Sequence, residues 1–530
     1  MSERLTTQEA AKFLGVSIST LYRMEKKGLL VPIRTPGGQR RFCREQLEAY
    51  LSNSRDIRAP QNPSLYRISE RASSTVNEAP PTLQASLFET SEYRSMPYLG
   101  VRLTGQVRRD LRREYDNGHN IVDWLEEWEF RGFNTKTYTH GFHTYPAMFI
   151  PQVARKLIST FSNEGDTIAD IFCGSGTALV EAKLLGRHAL GIELNPLAVL
   201  IAKVKTTPIE PDRLCDAYQR LLAAYASKPF APVTFPPESN MDFWFSPQAI
   251  GELNALKQAI ISLEEENLVN FFLVAFSEII RKVSFTKHDE FKLVRDKGKL
   301  VNGTSTDILR AFCDVVNDNI LGMRDFWLDA TDARTQIICG DSTKDQGIPE
   351  NSVDLIVTSP PYGDSRTTVA YGQFSRLSAQ WLDLLPNGKK DIDSELLGGK
   401  VAVDSQEPVL SYSNTLRQAV QLIAEQDERR AREVVGFYRD LYKALIQARR
   451  ILKVRRYFVV VIGNRTVKGI NLKTDIIISE LCEGIGFTTH AVLYRNIPNK
   501  RMPMENSPTN IPGAKGKTMH KESIVIMKKH

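Results

Sequence analysis

The chain reads as an α/β protein: a sheet built from βαβ units, interrupted by helical inserts and preceded by a small, basic helical unit. Two observations set the class and a third sets off the small unit. Ile168-Ala169-Asp170-Ile171-Phe172-Cys173-Gly174-Ser175-Gly176-Thr177 ends one apolar run, opens a helical pattern from Ala178 to Leu185, and is followed by a second apolar run, His188 to Ile192, closed by Glu193. Strand, glycine turn, helix, strand and an acid about twenty residues on is the layout of a βαβ unit that holds a ribose. Val353 to Val357 reads as a second buried strand and runs straight into Thr358-Ser359-Pro360-Pro361-Tyr362. Residues 1–60 hold 11 Lys+Arg against 6 Asp+Glu, a net of +5 out of the chain's +7.

Composition narrows the function classes. At 530 residues the chain has room for two or three domains, and 42% apolar with 25% charged residues is ordinary for a globular protein. It has no run of eighteen apolar residues, so no membrane span is expected. The polar start gives no secretory signal, and the expected location is cytoplasmic. Cysteines at 43, 173, 215, 313, 339 and 482 form no C-x-x-C pair, so they read as reduced thiols and no metal site is expected. A pI near 8.9 permits a polyanionic partner.

In order along the chain, Thr7 to Val16 reads as a capped short helix ending at glycine, and Ser17 to Gly28 as a second. A turn, Arg34-Thr35-Pro36-Gly37-Gly38-Gln39-Arg40-Arg41-Phe42, leads to a third helix, Arg44 to Leu51. Residues 52–97, rich in Ser, Pro, Asn and Arg, read as a linker that leaves the small unit mechanically separate. Residues 108–140, with Trp124, Trp128 and Phe130, form a charged and aromatic lead-in. A strand from Gln336 to Cys339 ends at Gly340-Asp341. Two inserts interrupt the core. The first, about 205–330, is helical by periodicity and carries the basic-aromatic stretch Arg281 to His288; the second, about 385–435, is polar. A helix from Val435 to Leu452, a strand from Tyr457 to Ile462 and a last strand pair near 487–495 and 522–528 complete the chain.

The two motifs carry distinct chemistry. The dinucleotide fingerprint fails because Leu179 takes the place of its third glycine, so no phosphate is called for. Gly174 and Gly176 let the backbone approach a ligand, with a Cβ at either expected to press on it, and Glu193 can accept from ribose hydroxyls. In Ser359-Pro360-Pro361-Tyr362 the prolines fix φ and donate no N–H, which leaves carbonyl oxygens free to accept. An aromatic at the far end suits a flat heterocycle bearing an exocyclic NH₂.

From Gly141 to the C-terminus these pieces resemble the S-adenosyl-L-methionine-dependent amino-methyltransferases of DNA, the N4-cytosine/N6-adenine family. The resemblance implies a Rossmann-like methyltransferase sheet. Phe172 to Gly176 matches the family's cofactor loop and Ser359-Pro360-Pro361-Tyr362 its catalytic loop. Gly141 to Pro151 looks like its extra cofactor helix, and Asp341 stands where the family places a cofactor-binding acid. The implied cofactor residues are Tyr145, Asp170, Phe172, Gly174, Gly176, Thr177, Glu193 and Asp341. The implied catalytic residues are Ser359, Pro360, Pro361 and Tyr362, with Tyr362 stacking on a base flipped out of double-stranded DNA. Ser in first position leans toward N4 of cytosine, and N6 of adenine is the alternative. Cys173 is expected to pack, since no Pro-Cys dipeptide marks a C5-cytosine nucleophile.

Residues 1–56 resemble the MerR/excisionase winged helix-turn-helix. This implies DNA contacts from Ser19, Tyr22, Arg23, Lys26, Arg40 and Arg41. The expected organisation is therefore a DNA-binding unit at 1–56, a flexible linker at 57–100 and a methyltransferase domain at 101–530, one of whose inserts recognises the target. A cognate restriction endonuclease is an expected partner. A transcription regulator acting through the small unit explains only the first tenth of the chain. An RNA or protein amide methyltransferase would share the cofactor half without obvious need of a winged helix.

Overall fold

The computed structural model describes residues 132–227, 239–287, 290–302, 306–364, 368–385, 392–402, 407–497 and 521–530, with parts of 4–48 and a few isolated positions. The expected linker, and Ser19, Tyr22, Arg23 and Lys26, lie outside the described residues.

Seven strands make the main sheet: β1 (Thr167–Asp170), β2 (His188–Glu193), β3 (Thr335–Cys339), β4 (Val353–Thr358), β5 (Leu452–Ile462), β6 (Phe487–Asn496) and β7 (Lys521–Lys529). Their spatial order is β3-β2-β1-β4-β5-β7-β6, with the two-residue strand Asp123–Trp124 outside β6. β1 to β5 run parallel, and β7 lies antiparallel between β5 and β6. β4 is buried at all six positions, which is why Val353 to Thr358 reads as one apolar run and not as an alternation. Strand order reverses at the β1–β4 junction. In such sheets the ligand crevice opens outside the carboxyl ends of the strands at that point. Asp170 ends β1 there and Thr358 ends β4.

Helices cover both faces. α1 (Pro151–Phe161) and α2 (Thr177–Leu184) pack Val153, Leu157, Ile158, Leu179 and Ala182 on Ile168, Leu355, Val357, Val459 and Val461. α4 (Pro211–Ser227), α5 (Pro247–Ile261), α6 (Glu266–Val283) and α7 (Ile308–Asp329) make the first insert a helical bundle, as its periodicity predicts, packed against α3 (Pro196–Thr206) of the core. α8 (Tyr371–Trp381) follows the catalytic tetrapeptide and joins that bundle through Phe374, Leu377 and Trp381. α9 (Asn414–Ala424), α10 (Glu428–Ile451) and α11 (Thr474–Glu483) cover the other face against Ala169, Ile356, Phe458 and Val460. Alternate residues of β1, β4 and β5 thus feed opposite layers, the period-two consequence of a pleated strand.

Several element boundaries differ from the sequence reading; β5, expected from Tyr457, starts five residues earlier at Leu452. α10 starts at Glu428, seven residues before the expected Val435, because Asp427 accepts from Arg430 N at 3.0 Å and caps it. The stretch expected as a cofactor helix, Gly141 to Pro151, is irregular backbone, with Ala147 at φ 50°. The helix begins only at Pro151, whose fixed φ suits a first helical turn.

The small N-terminal unit shows its expected first helix and two strands flanking the expected wing turn, whose residues 35–39 lie outside the described residues. Thr6 and Glu9 exchange bonds (Thr6 N to Glu9 Oε2 2.8 Å, Glu9 N to Thr6 Oγ1 3.3 Å), a capping box for the helix Thr7–Leu14. Ile33–Arg34 pairs antiparallel with Arg40–Cys43, which also pairs with Arg4–Leu5. Its core, Ala10, Ala11, Leu21, Leu30, Phe42 and Leu47, is closed by Leu328 from the last turn of α7. The unit therefore rests on the first insert and is not mechanically separate. The three larger apolar clusters contain no residue of the unit. Deleting residues 1–56 should accordingly uncover Leu328 yet leave a cooperative unfolding transition and cofactor binding in the remainder. Scanning and titration calorimetry of the truncated protein check this, and loss of both would show the unit to be part of one folding core.

Candidate active site

Tyr145, Asp170, Phe172, Gly174, Thr177, Glu193, Asp341, Ser359 and Pro361 all line a single cleft of about 870 Å³ at the β1–β4 junction. Each chain segment that the motifs singled out contributes a wall.

Asp170 forms the floor. It is buried, and its Oδ1 accepts from Phe172 N at 3.1 Å and from Thr358 Oγ1 at 2.6 Å. Burial pushes its carboxyl up to about 7, against the pull of these two donors. Glu193 ends β2. Its Oε2 accepts from Gly174 N at 2.9 Å and its Oε1 from Asn195 N at 2.8 Å. Burial raises this carboxyl too, opposed by the backbone N–H groups. One bond to each oxygen fixes the carboxylate plane and leaves lone pairs for a hydroxylated ligand. Asp341 follows β3 and accepts from Thr343 N (3.0 Å) and Thr343 Oγ1 (2.7 Å), with Lys344 Nζ at 3.1 Å. Partial burial raises its carboxyl, but Thr343 and Lys344 outweigh this and hold it below the usual range.

The two glycines do different work. Gly174 (φ +49°) faces Tyr145, and a Cβ there would come no closer than 3.7 Å to Tyr145 Cε1. Gly176 (φ +82°) is the N-cap of α2 and does not line the cleft; its Cβ would lie 2.8 Å from the Ala202 Cβ of α3. The expectation that a side chain at Gly176 would press on the ligand is corrected: it would press on a helix. Cys173 packs as expected, and burial pushes its thiol well above the ordinary value.

An aromatic wall completes the cleft. Tyr145 stacks on Tyr371 (centroids 5.9 Å, 29° between planes) and meets Phe374 edge-on at 6.0 Å. Asn195 Nδ2 donates to Tyr145 Oη at 3.0 Å and to Ser375 Oγ at 2.6 Å, while its Oδ1 accepts from Leu197 N as the cap of α3. Asn195 and Tyr371 escaped the motif reading. Asn195-Pro196 carries a helix-start signal, but nothing local announces that its amide also reaches Tyr145.

Pro360 and Tyr362 do not line the cleft. Pro360 is buried, and Tyr362 is half-buried with its hydroxyl donating to Glu522 Oε1 at 2.9 Å. Glu522 in turn pairs with buried Arg495, its register partner across the β6–β7 hairpin. Just beyond the tetrapeptide, buried Asp364 meets Arg465 Nη1 at 2.8 Å and Arg430 Nη2 at 3.1 Å. The C-terminal end of the tetrapeptide is thus held by a hydrogen bond to the Glu522–Arg495 pair and by the ion pairs of Asp364, which sequence reasoning did not find. In the small unit, Arg40 Nε lies 2.6 Å from Glu25 Oε2, and Arg41 Nη1 donates to Arg40 O.

S-Adenosylmethionine fits this donor set. Two oriented carboxylates suit ribose hydroxyls and an ammonium, the Gly174 turn admits close approach, and tyrosine faces suit a cation. Among the described residues no group of three His, Cys, Asp or Glu is placed to hold a metal, and no helix is long and apolar enough to cross a membrane.

The DNA methylase family profile matches residues 87–204, and a helix-turn-helix domain profile matches residues 4–55. The chain is 40% identical over 445 residues to the type II methyltransferase M.MvaI of Kocuria varians, covering 78% of this chain and 98% of that protein. It is 23% identical over 343 residues to type II methyltransferase M.MjaII of Methanocaldococcus jannaschii, with 48% and 65% covered. It is 22% identical over 400 residues to type II methyltransferase M.AvaI of Nostoc sp., with 66% and 79% covered.

Two outcomes are expected here. Glu193→Ala should weaken S-adenosylmethionine binding by about 1.5–3 kcal/mol, the range for hydrogen bonds to a charged group, whereas Gly176→Ala should lower thermal stability by about 1–3 kcal/mol through the left-handed φ and the clash with Ala202. Titration and scanning calorimetry separate the two. The second outcome concerns Asp170. Its carboxyl is raised in the folded state from the ordinary 3.8 to about 7, so its protonated form contributes stability that is lost as pH rises from about 4 to about 7. Asp170→Asn keeps the acceptor oxygen and removes this titration. Thermal melts without ligand should show the variant gaining on the parent as pH rises through that window, and parallel pH profiles would refute the assignment.

Proposed function

The chain belongs to the type II DNA methyltransferases of the N6/N4 DNA methylase family, and from that premise we propose that it methylates the exocyclic N4 of cytosine in duplex DNA as the modification enzyme of a restriction-modification pair. Its cofactor is S-adenosylmethionine, and its N-terminal unit is a helix-turn-helix DNA-binding domain.

The observation that carries the cytosine reading is Ser359. It follows a fully buried strand and lines the cleft, three residues before a tyrosine that Glu522 holds in place. The family resemblance associates Ser at this position with N4 of cytosine, and Asp or Asn with N6 of adenine.

When bound, S-adenosylmethionine supplies an electrophilic methyl group on a sulfonium. The chain's own task is to make a poor nucleophile attack. The amine lone pair of cytosine is delocalised into the ring. The Ser359 side chain, which lines the cleft, accepts one of its N–H bonds, which favours a more tetrahedral nitrogen with a directed lone pair. This is positioning and electrostatic preorganisation, with no covalent intermediate on the protein. The target base lies inside the duplex and must be extruded to reach the tetrapeptide. With its hydroxyl committed to Glu522, Tyr362 offers the extruded base a ring face and no hydrogen bond. The N-terminal unit adds phosphate contacts through its wing and recruits the enzyme to DNA.

Ser359→Ala should lower turnover about 10²-fold, the scale for removal of one preorganised polar group, with calorimetric cofactor affinity unchanged. Nucleoside digestion and mass spectrometry of DNA methylated by the parent enzyme should find N4-methylcytosine. N6-methyladenine alone would overturn the assignment of the base.

A further inference from the structure

Between α6 and α7 the first insert carries a small hairpin that neither the sheet nor the cofactor cleft requires. Residues 281–300 hold seven Lys+Arg against three Asp+Glu. Phe285 N donates to Trp244 O (2.8 Å), Lys287 N to Val294 O (2.8 Å) and Asp296 N to Phe285 O (2.7 Å), and Thr286 bridges Arg295 antiparallel. Two cations are used internally to shape it. Arg281 Nη2 donates to Glu290 O at 2.5 Å, and Lys299 Nζ to Ser284 O and Thr286 O at 3.0 and 2.9 Å.

The remaining groups point outward. Lys282, Lys287, Lys292 and Lys297 are exposed, Lys287 within 3.3 Å of Glu290. Phe291 and Phe243 are 47% and 48% exposed, and the Arg295 guanidinium lies 4.0 Å over the Phe243 ring. Phe291 belongs to the hairpin and Phe243 lies under its Arg295, so both half-exposed rings are carried by or against this one element. Aromatic rings interleaved with cations are the composition that binds nucleic acid, the rings by stacking and the cations by phosphate contact. The hairpin also adjoins the chemistry. Phe291 meets Phe374 at 6.1 Å, and Phe374 meets Tyr145, a cleft wall, at 6.0 Å.

The second insert is built for other work. Glu395, Leu396 and Leu397 line the cofactor cleft, and Asp393 accepts from Gly372 N (2.8 Å) and Gln373 N (3.2 Å) at the start of α8. α9 buries Leu416, Ala419, Val420 and Ile423 in the core of the sheet's other face. Its described part is wall and packing.

We propose that the described residues of this hairpin, 282–287 and 290–297 of the first insert, with Phe243 beside them, are the surface that grips duplex DNA next to the target base, so that the first insert and not the second is the target-recognition region. The four exposed lysines neutralise phosphates and Phe291 contacts bases at the mouth of the cleft. This rests on the reading of the protein as a DNA methyltransferase.

The test uses the full-length enzyme, unmethylated phage DNA and labelled cofactor, at a series of salt concentrations. K292A/K297A should raise KM for DNA at least tenfold and make the log–log salt slope shallower by about 0.9 for each phosphate no longer neutralised, with calorimetric affinity for S-adenosylmethionine and the melting temperature unchanged. F291A should raise KM likewise and F291Y should restore it, a rescue that a merely structural phenylalanine facing solvent would not need. R417A/R429A, which removes the same charge from the second insert and the start of α10, should match the parent. Parental KM and salt slope in both K292A/K297A and F291A would overturn the proposal, as would a DNA-specific rise in KM in R417A/R429A instead. Failure of the parent enzyme to methylate DNA at all would sink the underlying reading, an outcome separable from the variant results.

Discussion

The Thr358 hydroxyl donates to the Asp170 carboxylate at 2.6 Å, across the one junction in the sheet where strand order reverses, and both loops of the active site are hung from that buried bond. Asp170 also accepts from Phe172 N, so one carboxylate sets the first turn of the cofactor loop. Thr358 is the last residue of β4, so the same bond sets the departure of Ser359-Pro360-Pro361-Tyr362. A buried hydrogen bond to a charged group contributes on the order of 1.5–3 kcal/mol. Here it works against desolvation strong enough to lift the carboxyl to about 7. The fold therefore carries a destabilised acid at its switch point, the usual mark of a functional site.

Around that anchor, Glu193 and Asp341 are oriented before a ligand arrives. Glu193 is gripped by Gly174 N and Asn195 N, and Asp341 by Thr343. The tetrapeptide is braced twice from remote sequence: by Glu522 and Arg495 through Tyr362, and by Arg430 and Arg465 through Asp364. An amine that must be aimed at a methyl group gains from such rigidity, because misplacement by an ångström removes most of the advantage of proximity. The chemistry asks little of acid–base catalysis and much of position, and the ion pairs lie where position is set.

The inserts divide the remaining labour. The second closes the cleft and seals one layer of the sheet, while the first is a helical bundle with its own core and a cationic, aromatic edge near the cleft. The helix-turn-helix unit sits on that same bundle through Leu328. Both DNA-directed surfaces thus belong to one side of the chain's organisation and the methyl-transfer machinery to the other.

Sequence alone determined the elements whose cause is local. The glycine turn after β1, the apolar run of β4, the prolines of the tetrapeptide and the acid closing β2 each signal through their own φ preferences, burial or spacing, and Gly174, Glu193, Ser359 and Pro361 from these segments line one cleft. Even the final antiparallel pair was legible, from two β-rich runs. What sequence could not determine is which distant side chains meet. Glu522 reaches Tyr362 only because the register of β6 with β7 sets it opposite Arg495. Asn195 reaches Tyr145 only because α3 packs beneath the loop before α1. Gly176 is required by Ala202, a residue on another helix, and not by the ligand its motif suggests. Register and helix packing are settled by the summed burial of many residues far apart in the chain. Their outcome is therefore written in no single window of it, and only the assembled tertiary structure decided them.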